Sequence, residues 1–401
     1  MASTSVAATW SAKLPGVEDV VARTRRGERL GRADGVALIA AGDADLSRIL
    51  DAAAYLRDEA KGRTVTYSPK VFLPITNLCR DRCTYCTFRK DPWDDGAWTM
   101  TAGEVRDWSR RGRALGCREA LLCLGDRPET AFRQYRALLG LLGFESTIDY
   151  VCHAAEECLA EGLWPHTNAG VMTFEELEQL KPTNPSLGLM LENVSPRLRA
   201  RGGPHHAAPD KDPEVRLRTI DDAGRLRIAF TTGILIGIGE TREEIVDSLL
   251  AIRDLHDRHG HVQEVIVQNF RAKPGIPMEN ALEPTDFEIA RTVATARLLL
   301  GPEMNLQAPP NLNPTAHRLL LRAGINDWGG ISPLTRDYVN PEAPWPHVVR
   351  LAATCAEEGF QLRPRLPIYP EFARKPGFLH PAIRDAVLAE LDEAPAVDWS
   401  H

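Results

Sequence analysis

The 401-residue chain contains no run of eighteen apolar residues, so no segment is long enough to cross a bilayer as a helix. Its opening, MASTSVAATWSAKLPG, lacks the basic-then-apolar order of a secretory leader. Positive charge is not in excess. The formal net charge is −7, which argues against a nucleic-acid partner, since such a partner calls for a basic face. No internal repeat, low-complexity block or long linker breaks the chain, so one main domain is expected. What remains is a balance of 43% apolar and 26% charged residues, typical of a globular protein with a sizeable core. Eight cysteines without an export leader point to reduced thiols in a cytoplasmic protein. Five of them, Cys117, Cys123, Cys152, Cys158 and Cys355, stand among apolar neighbours, and most of these read as small buried side chains.

The other three cysteines are different. Residues 71–90, VFLPITNLCRDRCTYCTFRK, run from an apolar, β-branched strand into Cys79, Cys83 and Cys86, spaced x3 and x2. Thiolates this close on one loop can share a metal centre, and soft sulfur ligands suit iron–sulfur clusters, zinc or copper. Three ligands are one short of a closed site. A cluster held by three cysteines keeps one iron open to a small molecule, and Tyr85, just before the last cysteine, is placed to pack on it. Spacing alone leaves open a zinc site completed by a distant ligand such as His153 or Cys117, and with it a non-catalytic zinc-binding protein.

Residues 1–69 read as a helical extension, with Leu46, Ile49, Leu50, Ala53 and Leu56 on one helical face. From residue 70 to about 370 strand-like runs alternate with helical patterns. The runs are 71–76, 118–124, 163–168, 187–192, 227–236, 263–269, 304–308 and 325–328. Thr101/Glu104, Thr173/Glu176, Thr241/Glu244 and Thr285/Glu288 have the spacing of capping boxes that open helices. Eight strands each followed by a helix make an α/β fold, a (β/α)8 TIM-type barrel, with an incomplete six-stranded barrel as the fallback. Residues 371–401 form a C-terminal tail. In such barrels chemistry collects where strands end, and polar or glycine-rich segments follow each expected strand. Asn269, Arg271, Lys273, Asn311, Asp327 and Trp328, from strands six to eight, are expected to face a polar, hydroxyl-rich substrate. His205-His206 and His256/His259/His261 have metal-like spacing, but the second group suits the C-terminal dipole of a helix.

CxxxCxxC with an aromatic before its third cysteine resembles the signature of the radical S-adenosylmethionine (SAM) superfamily. The resemblance implies a [4Fe–4S] cluster on Cys79, Cys83 and Cys86, with SAM chelating the fourth iron. Gly125-Asp126 then resembles the segment that meets the SAM amino group, with Asp in place of the family's Glu. Gly233-x-Leu235-x-Gly237-x-x-Glu240 resembles the adenine-site segment, and Glu192-Asn193 falls where related barrels contact the ribose. The segments at 202–211, 266–278, 306–314 and 324–346 are similar to a narrower family, the FO synthases of the CofG type, where FO is 7,8-didemethyl-8-hydroxy-5-deazariboflavin. That resemblance implies ring closure, with loss of ammonia, of an adduct between a tyrosine-derived 4-hydroxybenzyl group and 5-amino-6-ribitylaminouracil. It further implies a separate CofH-type enzyme upstream, because only one CxxxCxxC is present, and a reductant such as a ferredoxin or flavodoxin. Asp327 and Tyr85 are the catalytic candidates. The rival within the class is a CofH-like or futalosine-pathway radical SAM enzyme.

Overall fold

The computed structural model describes residues 14–393, so the stretch read for a leader, as far as Lys13, and the tail beyond Glu393 lie outside them. Three helices, Val17–Arg25, Arg32–Ala40 and Asp43–Lys61, lead in. Leu46, Ile49, Leu50 and Ala53 are buried as their helical spacing requires, on the face that packs against the later helix Asp286–Leu300.

Eight parallel strands follow: β1 (Thr64–Thr76), β2 (Glu119–Leu124), β3 (Trp164–Asn168), β4 (Ser186–Gly188), β5 (Ala229–Ile236), β6 (Val262–Asn269), β7 (Leu306–Gln307) and β8 (Asp327–Ile331). Each pairs with the next, and β1 pairs with both β8 and β2, which closes the barrel. The complete eight-stranded barrel is present, not the six-stranded fallback. All four expected capping boxes form, and a fifth, Ser146 with Asp149, opens the helix Thr147–Ala160. Their reciprocal bonds satisfy backbone N–H groups that a helix start otherwise leaves unpaired. Among the described residues no helix is long and apolar enough to cross a membrane.

Two features were not expected. β1 begins at Thr64, and a ninth strand, β9 (Gln361–Pro364), pairs with its first residues, Thr64 to Tyr67. β2 takes over from Lys70 on the same side. The chain leaving β9 crosses the floor of the barrel, where Arg365 is buried against Asp327 at the start of β8 and Glu264 near the start of β6. Residues 366–387 then pack as a second apolar cluster, including Ile368, Phe372 and Ile383.

Candidate active site

The loop after β1 carries the three cysteines over the C-terminal mouth of the barrel. It is pinned from one side by Arg80 N–H to Asp126 O (3.0 Å), and from the other by Arg82 N–H to Ala207 O (2.9 Å) and Thr84 N–H to Pro204 O (3.0 Å). The turn after β2 presses against it: a Cβ at Gly125 would lie 2.1 Å from Leu78 O and 2.6 Å from Cys79 Cβ. The Asp126 N–H donates to Cys79 Sγ at 3.1 Å. All three thiols are free, partly exposed, and line one cavity of about 300 Å³ that runs down into the barrel.

Burial pushes the Cys79 thiol well up, with Asp126 adding to it, and pushes Cys83 up to about 12. Free thiolates are therefore disfavoured here, and a cationic metal centre is the partner that would stabilise them. Neither His153 nor Cys117, the candidate fourth ligands of a zinc site, lines the cavity. Three thiols from one loop, opening on one cavity, fit a cluster that they alone hold and that keeps one iron open.

Around the thiols lie several of the expected SAM contacts. Tyr85 donates or accepts a 2.9 Å bond with His205 Nε2, its ring edge-on to the imidazole. Burial raises the phenol well above its ordinary value and lowers His205 to about 3, so both are neutral. Glu192 adopts φ +65°, and its carboxylate receives Lys211 Nζ at 2.5 Å. Burial would raise that carboxyl, but Lys211 and Arg216 outweigh it and hold it below its ordinary value. Asp126 lies with Asp81 and Asp210, their oxygens within 4.8 Å of one another. Burial, with Asp210 adding to it, pushes Asp126 up to about 8 against the opposing Arg216. The acidic trio is already countered on the protein side, Arg80 Nε meeting Asp210 at 2.5 Å and Arg216 lying 3.8 Å from Asp126.

At the other end the expected substrate residues Asn269, Arg271, Lys273, Asn311 and Trp328 all line the same cavity. Lys273 Nζ donates to Val339 O (2.9 Å), and Arg271 Nε to Leu312 O (2.7 Å). Asn269 Nδ2 and Asn311 Oδ1 are buried with no hydrogen-bond partner. Buried polar atoms are rarely left so, and a polar ligand in the cavity would satisfy them. Trp328 is walled in, its indole N–H directed at Cys355 Sγ (3.4 Å).

Four expected residues are elsewhere. Asp327 does not line the cavity; it is fully buried on the barrel floor, bound by Arg365 and Thr66. The expected strand 325–328 in fact begins at Asp327, which puts this residue at the opposite end of the strand from the mouth. Glu240 accepts the N–H groups of Gly237 (2.7 Å) and Ile238 (2.9 Å), closing its own loop. Gly237, at φ +90° against Pro284, belongs with Glu240 to a separate cavity on the outer side. Asn193 is buried and caps Ser195 N–H (2.8 Å). Lys70, Asp81, Lys211, Arg216, Asp337 and Asn340 line the cavity without having been expected.

A model of the radical SAM superfamily matches residues 73–252. The FeFe-hydrogenase maturase HydG from Carboxydothermus hydrogenoformans superposes with a TM-score of 0.72 at 18% identity, over 94% of this chain and 90% of that chain. Methylornithine synthase (PylB) does so with a TM-score of 0.66 at 19%, over 86% and 97%. At such identities these likenesses concern the fold. A barrel with a three-cysteine mouth is thus a radical SAM enzyme, whose cofactors are a [4Fe–4S] cluster and SAM.

The relatives are more specific. The protein of Methanopyrus kandleri called 7,8-didemethyl-8-hydroxy-5-deazariboflavin synthase is 50% identical over 324 residues, 80% of this chain and 96% of that protein. The FO synthase of Streptomyces coelicolor is 47% identical over 382 residues, but this chain spans only 44% of its length. The chain belongs to the 7,8-didemethyl-8-hydroxy-5-deazariboflavin (FO) synthase family of radical SAM enzymes.

Proposed function

We propose that this chain performs the ring-closing half of FO formation in coenzyme F-420 biosynthesis. Its substrate is 5-amino-5-(4-hydroxybenzyl)-6-(D-ribitylimino)-5,6-dihydrouracil, and its products are FO, ammonia, methionine and 5′-deoxyadenosine. One observation carries the reading: the chain has a single cysteine triad and matches the Methanopyrus synthase over nearly all of that protein, yet spans under half of the Streptomyces one. A CofH-type activity, on another chain or joined to this one, would supply the adduct, and a ferredoxin or flavodoxin the electrons, in the cytoplasm.

When bound, the cluster and SAM supply hydrogen-atom abstraction from the substrate, which is the hard chemistry of the reaction. The protein's part is to hold and orient. Cys79, Cys83 and Cys86 would anchor the cluster, with Tyr85 locked by His205 beside it. Asp126 and the Glu192–Lys211 pair offer acceptors and a donor to the polar parts of SAM. Asn269, Arg271, Lys273 and Asn311 offer the substrate a mixed set of donors and acceptors inside the barrel cavity, where a bound substrate that displaces water protects a reactive intermediate.

The test is to supply reconstituted enzyme either with the preformed adduct or with tyrosine plus 5-amino-6-ribitylaminouracil. FO from the adduct alone is the expected result. Consumption of free tyrosine would instead assign the CofH-like reaction.

A further inference from the structure

Six cationic side chains line the cavity: Lys70, Arg89, Lys211, Arg216, Arg271 and Lys273. Five are already engaged by protein oxygens. Arg89 meets Asp91, Lys211 meets Glu192, Arg216 donates to Met190 O and Asp210 O, Arg271 meets Glu283 and Leu312 O, and Lys273 meets Val339 O. Among the described residues, Lys70 alone of the six has no carboxylate or carbonyl partner. Its ammonium instead faces two rings, 5.7 Å from the centroid of Phe72 and 5.5 Å from that of Trp345. Both rings are held in place, since the Phe72 N–H donates to Thr335 Oγ1 (2.9 Å) and the Trp345 indole N–H to Thr335 O (2.8 Å).

The strand explains why a lysine points this way. Side chains alternate along β1, so Val71 and Leu73 are fully buried in the outer core while Lys70 and Phe72 line the cavity. β8 makes room: a Cβ at Gly330 would lie 2.0 Å from Lys70 Cε and 2.2 Å from Nζ, and its three nearest neighbours are all Lys70 atoms. The fold therefore clears a channel for a partly buried ammonium group and, among the described residues, gives it no ion pair. Its N–H groups are left to donate to a ligand oxygen in the cavity.

We propose that Lys70 is the substrate-anchoring cation of this cavity, donating to a carbonyl oxygen of a ring held against Phe72 and Trp345. The assignment rests on the function proposed above, because the dihydrouracil ring of the adduct carries such oxygens and FO keeps them. It also gives Gly330 a specific purpose. Lys70 binds; it is not required to exchange a proton.

The test is equilibrium binding of FO, followed by its fluorescence, to anaerobically reconstituted enzyme. Lys70→Met, which keeps the stem and removes the charge, is expected to weaken binding about tenfold to a hundredfold, the loss of one charge-assisted hydrogen bond. Gly330→Ala keeps the charge but displaces Lys70, and is expected to weaken binding by a similar factor. Iron content and thermal midpoint, measured alongside, separate this effect from misfolding. Because only the end of a flexible side chain must move, Gly330→Ala remains informative if Lys70→Met does not fold. Wild-type affinity in either folded variant would overturn the proposal. If wild-type enzyme neither binds FO nor forms it, the functional reading fails and the Lys70 assignment falls with it.

Discussion

Replacing Arg365 by Met should unfold the barrel from its floor, leaving the chemistry at the mouth untouched at low temperature. The guanidinium binds Asp327 through Nε (2.6 Å) and Nη2 (3.0 Å), and reaches Glu264 through Nη2 (2.9 Å). It also lies 4.4 Å over the ring of Tyr369. The Asp327 side chain is 0% exposed and that of Glu264 5%, so the lost cation cannot be replaced by water without opening the floor. Removing one partner of a buried ion pair costs about 3–5 kcal/mol, because the remaining charge stays desolvated. For a domain of this size that corresponds to a drop of roughly 4–6 °C in thermal midpoint. Arg365 follows directly on β9, so the loss should also release β9 and the residues after it. Thermal unfolding by circular dichroism at neutral pH measures the effect. Asp327→Asn gives the complementary variant, and the two together should cost less than their sum, since they break the same contact. An Arg365→Met protein melting within about 2 °C of wild type would refute the reasoning, as would an Asp327→Asn protein of unchanged stability that has lost only turnover.

Glu264 gives this network a pH signature. Burial pushes its carboxyl up to about 7 from an ordinary 4.5, with Arg365 opposing and Asp327 adding to the rise. A raised carboxyl is stabilising when protonated, so its contribution is complete below about 4.5 and is lost as pH rises through 7. Glu264→Gln should therefore gain on wild type in thermal midpoint between pH 5 and pH 8, by up to roughly 3 kcal/mol; a difference that shrinks over that range contradicts the assignment. At the mouth, Gly125→Ala forces a Cβ to 2.1 Å from Leu78 O, so the cysteine loop must shift. Iron bound per chain after reconstitution should fall at least twofold without loss of helical signal; full iron loading would show that the turn does not hold the loop.

How much of this was readable beforehand depends on what each residue's signal is made of. The strands and the capped helices follow from local chemistry, as with Thr241 and Glu244, whose reciprocal bonds form as spaced. The cysteine triad was equally plain, because its meaning lies in three residues on one short loop. β9 was not: Gln361–Pro364 is half exposed and has no apolar run, so only its partner on β1 makes it a strand. The same blindness hid Lys70, since a polar TVTYS run obscures where β1 starts.

Asp327 shows how small an error changes a role. Its strand was placed two residues too early, and in a barrel the two ends of a strand belong to stability and to chemistry respectively. A buried Asp beside Trp328 and Gly329 reads the same in sequence whichever end it occupies. Glu240 was misplaced for another reason: a carboxylate three residues after Gly237 can close its own loop as readily as it can meet a ligand. Pairings such as Glu192 with Lys211 bring together different segments that only the folded barrel makes neighbours.

The most direct measurement of the central claim is a single anaerobic reaction of reconstituted enzyme with dithionite, SAM and the adduct. FO fluorescence and 5′-deoxyadenosine should appear together, and both should vanish in Cys83→Ala. Neither product from an iron-loaded wild type, or undiminished products from Cys83→Ala, would contradict it.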